Sequence, residues 1–381
     1  MMTPVTPDAG MASIMASLNA IAARLDRLEA SEVETEVSLE PVAAPVAEKP
    51  RFRVPAGSVK SLQKPNVISR MDQAPAQQQV EKFSPLGDSG PYLGEMFGTS
   101  IRRSPIIDAP VSSSPIQVTT IGDTHFHPGL DHLTTRLMLL AGIHVAETRT
   151  PYLRHIGDTS DFASLCRHTR NDTWKARQKP SIRQDLDSLR LNWDALNLPL
   201  ELYNHKPQKR VTLGNHCAWA ETFEDANPEL KGLITGERDS IFRAHGWEVS
   251  AYGEFAFLGG VAFTHVPLNI MGKPAGGQTP EVTISNQVTH DLVFGHTHRR
   301  NSVLRPKMGY NNRVNVVNVG SAMPEFYVGE YAQLTQGSAV TYGISQMTIF
   351  DGRIQSERHI PWREMEMMYG KTADALQGRS L

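Results

Sequence analysis

Paired histidine and aspartate side chains follow two short β-branched stretches, and their types and spacing suit metal-dependent chemistry. Asp123 and His125 end the first stretch, and His296 and His298 end the last. Residues two apart on an extended strand point the same way, so each pair is expected to converge on one point. Oxygen and nitrogen ligands without a thiolate fit manganese, iron or zinc better than a closed structural zinc site. The two pairs therefore predict a metal centre.

Three more stretches of this kind lie between the two pairs. They end in Asp158 with Asp161, in Asn215 with His216, and in His265. A Gly-Asp or Gly-His pair in a loop is usually a turn or a helix cap, and one histidine at a strand end is more often a buried structural residue. The prediction rests on the ordered set of five motifs, because such agreement is hard to obtain by chance.

Helical patterns separate the predicted strands. One has Leu133, Leu137 and Leu140 at helical spacing, and a second runs from Ile182 to Trp193. Strands that alternate with helices favour an α/β fold in which helices cover the sheets. Ligand sites in such folds lie at the carboxyl ends of the strands, where the five motifs stand.

In the order of these motifs, residues 115 to 370 resemble the calcineurin-like metallophosphoesterases. The shared pattern is Asp-x-His, Gly-Asp-x-x-Asp, Gly-Asn-His, a strand-end histidine and Gly-His-x-His. The resemblance implies an α/β fold of two packed mixed β-sheets flanked by helices. The closing stretches, 341–347 and 360–370, resemble bacteriophage-encoded members of the family.

The resemblance also implies a ligand set for two divalent cations, which would be manganese, iron or zinc. The side chains implied for the first cation are those of Asp123, His125, Asp158 and His298. Those implied for the second are Asn215, His265 and His296, with Asp158 bridging both cations. Two carboxylates and a bridging hydroxide leave such a centre positively charged, so it can bind an anionic phosphoester and stabilise its displacement.

His216 is the candidate proton donor. Because neighbouring residues of an extended segment point in opposite directions, His216 is expected to face the substrate while Asn215 faces the cations. The alternative is a buried structural histidine. The resemblance implies that His216 stabilises or protonates the leaving-group oxygen and that Asp161 orients its imidazole. Phosphoprotein phosphatases often have an arginine where this chain has Phe162, which argues against that branch.

The chain before residue 115 differs in composition, since all 14 histidines lie at or after His125. We predict four segments: an amphipathic or coiled-coil helix in 1–36, a proline-rich disordered linker in 37–114, the metallophosphoesterase domain in 115–370, and a flexible tail in 371–381. A heptad seam within 11–30 favours a homo-oligomer, and a single amphipathic helix is the equally weighted alternative.

Composition also limits the compartment and the partners. Two cysteines without a CxxC pair exclude a disulfide scaffold, and no apolar run approaches the roughly 20 residues of a membrane span. We therefore expect no membrane partner and a cytoplasmic protein, in a bacterial host cell if the chain is phage-encoded. Acidic and basic residues balance after residue 115, so a strongly basic nucleic-acid-binding domain is not indicated. A basic stretch in 167–190 keeps nucleic acid among the candidate substrates.

The leading hypothesis is a dinuclear metal-dependent phosphoesterase. It would hydrolyse a phosphomonoester or a phosphodiester, nucleic acid included, by attack of a metal-bridging hydroxide. The alternative is a catalytically weak scaffold or virion-associated binding module whose metal site is vestigial. Retention of all the implied ligands speaks against that alternative. No phosphate-binding Gly-x4-Gly-Lys-Ser/Thr loop and no Gly-x-Ser-x-Gly turn are present.

Overall fold

Two mixed β-sheets make up the centre of the computed structural model, which describes residues 105–166, 177–269, 271–277, 279–325, 327 and 340–377. Within these residues each sheet has six strands. The strands are β1 Ile106–Ala109, β2 Ile116–Ile121, β3 Tyr152–His155, β4 Gln208–Thr212, β5 Trp247–Ser250, β6 Ala256–Leu258, β7 Val261–Phe263, β8 Leu292–Phe294, β9 Arg300–Pro306, β10 Arg313–Val319, β11 Gly343–Phe350 and β12 Arg353–Pro361.

The strand order is β1-β6-β7-β8-β10-β9 in the first sheet and β12-β11-β2-β3-β4-β5 in the second. β2, β3, β4 and β5 run parallel in the second sheet, and β7, β8 and β10 run parallel in the first. The described helices are α1 Asp131–Thr148, α2 Ile182–Leu202, α3 Trp219–Ala226, α4 Leu233–Ala244, α5 Pro280–Gln287 and α6 Trp362–Gln377. The predicted fold of two mixed sheets flanked by helices is confirmed.

Three apolar cores hold these layers together. The core between the sheets contains Val118 of β2 with Phe263 of β7 and Val317 of β10. Helices α1, α2 and α6 bury their apolar faces with the second sheet in the largest core, where Trp193 and Leu140 are fully buried. Helix α5 covers the first sheet through Ile284. Burial of this apolar area is the main stabilising contribution to the layered fold.

Helix α2 begins at Ile182, directly after its N-cap residue Ser181. Ser181 caps α2, because its Oγ accepts from the Gln184 backbone N–H at 3.2 Å. The Gln184 side chain in turn accepts from the Ser181 backbone N–H, which completes a capping box. Two otherwise unpaired N–H groups are thereby satisfied at the start of α2.

The sequence predicts that the domain begins at residue 115. In the structure, the folded part already includes strand β1, which begins at Ile106. Strand β1 pairs in parallel with β6 in the first sheet. Its Asp108 carboxylate is 2% exposed and reaches across to the second sheet, where it binds Arg154 at 2.9 Å and Arg210 at 2.5 Å. A buried carboxylate requires such partners because burial removes its hydration. Residues 106–109 therefore belong to the folded unit.

The C-terminal boundary also differs from the expected one. Helix α6 continues past residue 370 to Gln377, and Ala373 is fully buried in its last turns. The predicted helix in 1–36 and most of the predicted linker lie outside the described residues, so self-association through 11–30 stays a prediction. None of the helices in the described part of the chain combines the length and the apolar character that crossing a bilayer requires.

The Asp108 ion pairs predict a large loss of stability when the carboxylate is removed. Asp108→Ala would leave the fully buried Arg154 guanidinium without its ion-pair partner, at a cost of roughly 3–5 kcal/mol. Urea unfolding of the full chain measures this cost. Ile107→Ala is the matched control on the same strand, because the Ile107 side chain is 63% exposed. Equal, small losses from both substitutions would contradict the structural role of Asp108.

The buried His144 side chain predicts that stability falls in mild acid. Burial lowers the pKa of His144 to about 4 from its ordinary 6.5, and its Nδ1 contacts Tyr369 Oη at 3.1 Å. The unfolded chain therefore takes up a proton as the pH falls below 6.5, while the folded chain does so only near 4. Between these values the folded state loses about 3 kcal/mol from this group.

We accordingly expect His144→Asn to destabilise the protein less at pH 4 than at pH 7, by about 3 kcal/mol. Urea unfolding at the two pH values tests this difference. His132→Asn, on an exposed position of the same helix, is the control and should change stability equally at both. A His144→Asn penalty that does not change with pH would contradict the assigned burial effect.

Candidate metal centre

The candidate ligands stand where parallel strands of both sheets end. Asp123 follows β2, Asp158 follows β3 and Asn215 follows β4 in the second sheet. His265 follows β7 and His296 follows β8 in the first sheet. Asp123 also forms a bridge with Ser321, which follows β10, so the edges of the two sheets meet at the site. The placement agrees with the sequence expectation for strand carboxyl ends.

Turns, rather than strand alternation, bring the histidine pairs together. β2 ends at Ile121 and β8 at Phe294, short of the paired residues. Positive φ angles occur at His125 (45°), His296 (72°) and His298 (58°). The expectation that each pair converges because it lies on extended backbone was wrong, although the side chains do converge. Positive φ is strained in non-glycine residues, and such strain is concentrated at functional sites.

Two glycines allow the carboxylates to approach the backbone closely. A Cβ atom on Gly214 would lie 2.1 Å from Asp158 Oδ1, and one on Gly295 would lie 2.6 Å from Asp123 Oδ1. Both distances are shorter than any real contact, so only glycine fits beside these carboxylates. The glycines of the Gly-Asn-His and Gly-His-x-His motifs therefore have a packing role in the site.

The first group of candidate ligands consists of Asp123, His125 and His298, whose donor atoms lie within 4.8 Å of one another. The Nε2 atoms of His125 and His298 are 3.0 Å apart, and His298 Nε2 is 3.2 Å from Asp123 Oδ2. Asp158 Oδ2 lies 3.9 Å from His125 Nε2. All four residues assigned to the first cation by resemblance thus meet at one place.

The second group consists of Asp158, His265 and His296, and a further set of donor atoms from His125, Asp158 and His216 lies equally close together. His265 Nε2 is 3.2 Å from Asp158 Oδ2 and 3.0 Å from Asn215 Oδ1. The rings of His265 and His296 have centroids 5.2 Å apart. The structure therefore brings together the residues assigned to the second cation. Asp158 touches both groups, and Asp123 Oδ1 also lies 3.5 Å from His265 Nδ1.

The donor set fits divalent cations. Asp123 Oδ1 is buried, makes no hydrogen bond and has His265 Nδ1 3.5 Å away, so a bound cation would compensate the lost hydration of this carboxylate oxygen more fully. His265 Nδ1 donates to the Ile156 carbonyl at 2.7 Å, so its Nε2 is the nitrogen left to bind a metal. The ligands are oxygen and nitrogen atoms, which suits manganese, iron or zinc.

Opposite charges in this buried cluster shift its pKa values strongly. Burial raises the pKa of Asp123, but His265 and His298 together bring it well below its ordinary value. Burial also raises the pKa of Asp158, but His265 and His216 outweigh this effect and bring the pKa well below its ordinary value. Burial lowers the pKa of His265, yet Asp158 and Asp123 raise it well above 6.5. The two carboxylates are therefore ionised, and they attract positive charge to the site.

His216 and Asp161 form a pair beside the first group. His216 Nδ1 lies 3.0 Å from Asp161 Oδ1 and 3.0 Å from the Asp161 carbonyl. The same carboxylate oxygen is 3.2 Å from His125 Nδ1. Burial lowers the pKa of His216, but Asp158 and Asp161 outweigh this effect and raise it to about 9. The imidazole therefore carries a proton at neutral pH.

Asn215 and His216 do not lie on the extended backbone that the sequence suggested. The chain turns directly after Gly214, and the His216 carbonyl accepts from the Trp219 N–H at 3.1 Å. Asn215 and His216 thus stand on a turn, not on an extended segment. His216 still lies beside Asp161 as expected, because the turn carries its ring toward the loop after β3.

Two aromatic residues at the site were not expected from the sequence. Trp219 stacks on His216 with ring centroids 4.0 Å apart, and the half-buried Tyr252 lies 6.4 Å from the ring of His265. The only feature of the sequence that could have indicated Trp219 was its spacing of three residues from His216. No such feature indicated Tyr252, because the loop after β5 carries no motif. Phe162, at the position of the missing arginine, is fully buried.

Known proteins resemble this chain in structure rather than in sequence. Neither models of protein families nor curated proteins match the sequence. Among solved structures, the chain is similar to Vps29 from Entamoeba histolytica in complex with Zn²⁺, at 15% identity and a TM-score of 0.27, over 64% of this chain and 96% of that one. It is also similar to a metallophosphoesterase from Sphaerobacter thermophilus, at 11% identity and a TM-score of 0.32, over 70% and 98%.

The two groups predict different losses of metal binding. Asp158→Asn is expected to weaken uptake of Mn²⁺ or Zn²⁺ at both groups, because Asp158 touches both. Asp123→Asn should weaken mainly the first, where Asp123 Oδ2 contacts His298. Titration calorimetry with the full chain, followed by metal analysis, measures both losses. Asp187→Asn, on the exposed face of α2, is the control. Uptake by Asp158→Asn equal to that of the unaltered chain would contradict the assignment.

Proposed function

We propose that the chain is a dinuclear metal-dependent phosphoesterase of the calcineurin-like superfamily. The observation that carries the proposal is the position of Asp158, a buried carboxylate whose Oδ2 lies 3.2 Å from His265 and 3.9 Å from His125. One carboxylate between two clusters of nitrogen and oxygen donors is the arrangement that a bridging ligand of two cations requires.

In this proposal Asp123, His125, Asp158 and His298 hold the first cation, and Asn215, His265, His296 and Asp158 hold the second. Two divalent cations at these residues would supply electrophilic charge for phosphoester oxygens and lower the pKa of a water molecule. Manganese, iron and zinc all suit the donors, and the ligand set does not favour one of them.

The residues of the chain supply the rest of the chemistry. Only two of the seven proposed ligands are carboxylates, so the loaded site would attract an anionic ester. His216 has its Nδ1 edge against Asp161, and in this proposal its Nε2 edge gives a proton to the leaving oxygen. The short approach of Asp161 also fixes which edge of the ring faces Asp161. Such a positioned acid contributes about 10²–10⁴ in rate.

The substrate class is a phosphomonoester or a phosphodiester. The buried Phe162 offers no phosphate contact, which speaks against the phosphoprotein branch. Nucleic acid gains no support from the described part of the basic stretch, since Arg183 and Arg190 pair with Asp187 on α2. Residues 167–176 of that stretch lie outside the described residues. A bacteriophage origin and a cytoplasmic location stay predictions from the sequence.

The alternative, a binding module with a vestigial metal site, has no observation in its favour among the described residues. The seven proposed ligands lie close together, which supports the proposal, and five of them are almost fully buried: Asp123, His125, Asp158, His265 and His298. A site that no longer served a purpose would be expected to lose some of these costly buried groups. The phosphoesterase is therefore the preferred function.

His216→Gln tests the proposal directly. We expect it to lower kcat about 10²–10⁴-fold with its metal content unchanged, since His216 is proposed as proton donor and not as ligand. The assay is hydrolysis of p-nitrophenyl phosphate and of bis-p-nitrophenyl phosphate with Mn²⁺. His132→Gln, on the exposed side of α1, should retain full turnover. Unchanged turnover in His216→Gln would remove its proposed role, and hydrolysis of neither ester by the unaltered chain would oppose the function itself.

A further inference from the structure

Trp219 holds a position that neither the ligand set nor the proposed chemistry uses. It is the first residue of α3 and lies three residues after His216. Its indole stacks on the His216 imidazole, with ring centroids 4.0 Å apart and planes inclined by 31°. The backbone fixes this approach, because the Trp219 N–H donates to the His216 carbonyl at 3.1 Å.

Within the described part of the chain, Asp161, His125 and Trp219 all contact the His216 ring. Asp161 lies against its Nδ1 edge at 3.0 Å. The ring of His125 meets it edge-on, with centroids 4.6 Å apart and an angle of 90° between the planes. Trp219 covers one face. A hydrogen bond at one edge still allows the imidazole to tilt about its bond to Cβ, and a flat ring packed on its face opposes that tilt.

The environment of Trp219 differs from that of a tryptophan that only fills a core. Trp193 and Trp247 are almost completely buried in the largest core, whereas Trp219 is partly exposed at its border. A smaller apolar residue could cover the same part of the core. What a leucine lacks is a planar face of the size of the imidazole. The stacking geometry, rather than the bulk, is therefore the property that needs explanation.

We propose that Trp219 is a positioning residue that fixes the plane of the His216 imidazole, so that the Nε2 edge stays directed at the leaving oxygen. The inference rests on the proposed function for its catalytic consequence, but the stack itself is a property of the protein without substrate. Aromatic pairs of this kind are worth enough to change a rate on the order of fivefold.

Three substitutions separate stacking from bulk. Trp219→Leu keeps an apolar side chain without a planar face, Trp219→Phe keeps a planar face, and Phe223→Leu changes a half-buried aromatic one turn further along α3. With bis-p-nitrophenyl phosphate and Mn²⁺, we expect Trp219→Leu to lower kcat about fivefold with KM unchanged. Trp219→Phe should restore most of kcat, and Phe223→Leu should match the unaltered chain.

A double substitution tests whether the loss acts through His216. In a His216→Gln background, Trp219→Leu should cause no further loss of kcat, because the group that it positions is absent. Equal kcat values for Trp219→Leu and Trp219→Phe would overturn the proposal, and so would a full additional loss in the His216→Gln background. A change in KM alone would indicate substrate contact instead and would also overturn it.

A spectroscopic measurement tests the stack without turnover. The full zinc-loaded chain, labelled with ¹³C at histidine Cε1, gives one signal per histidine, and His216→Gln identifies the signal of His216. Stacking on the indole shields this signal, so Trp219→Leu should move it downfield, Trp219→Phe should move it less, and Phe223→Leu should leave it in place. An unmoved signal in Trp219→Leu would overturn the proposal. If the signal moves as expected but neither nitrophenyl ester is hydrolysed by the unaltered chain, the stack stands and the proposed function has failed.

Discussion

The burial of Asp158 is the constraint on which the rest of the site depends. An ionised carboxylate that is 2% exposed would be strongly destabilising unless hydrogen bonds and opposite charge surround it. Its Oδ1 accepts from the backbone N–H of His216 at 2.8 Å, and its Oδ2 faces His265. His216 follows β4 of the second sheet, and His265 follows β7 of the first. The Asp158 carboxylate keeps these partners only where the edges of the two sheets meet. Its contacts also limit the positions of the residues around it.

The meeting of the sheets has its own physical basis. Parallel strands in both sheets leave their carboxyl ends at the same edge, and the turns that follow them carry the polar residues. The backbone N–H groups of these turns donate to the carboxylates, as that of His296 does to Asp123 at 2.9 Å. The apolar core between the sheets keeps the two edges in register. Packing and site geometry are thus consequences of one arrangement.

Much of this arrangement can be predicted from the sequence, and the failures have physical causes. The five motifs identify the residues that converge, because histidine and aspartate at strand ends are visible without a structure. The mode of convergence is not visible, since the positive φ of His125 and His298 depends on packing around turns. Trp219 escapes notice because a stacking partner has no motif. Strand β1 has only four residues and lies between Pro105 and Pro110, so it is hidden in a proline-rich segment, and its pairing with β6 joins segments about 150 residues apart.

Strand β1 has a mechanical consequence. Tension applied to the chain from its N-terminal side would reach β1 before any residue of the metal centre. There it would act on the hydrogen bonds to β6 and on the ion pairs of Asp108 with Arg154 and Arg210. The turns that carry the candidate ligands follow other strands. A pull of this kind would therefore act on β1, which is an edge strand of the first sheet. Strain that enters from this side would therefore be kept away from the candidate metal centre.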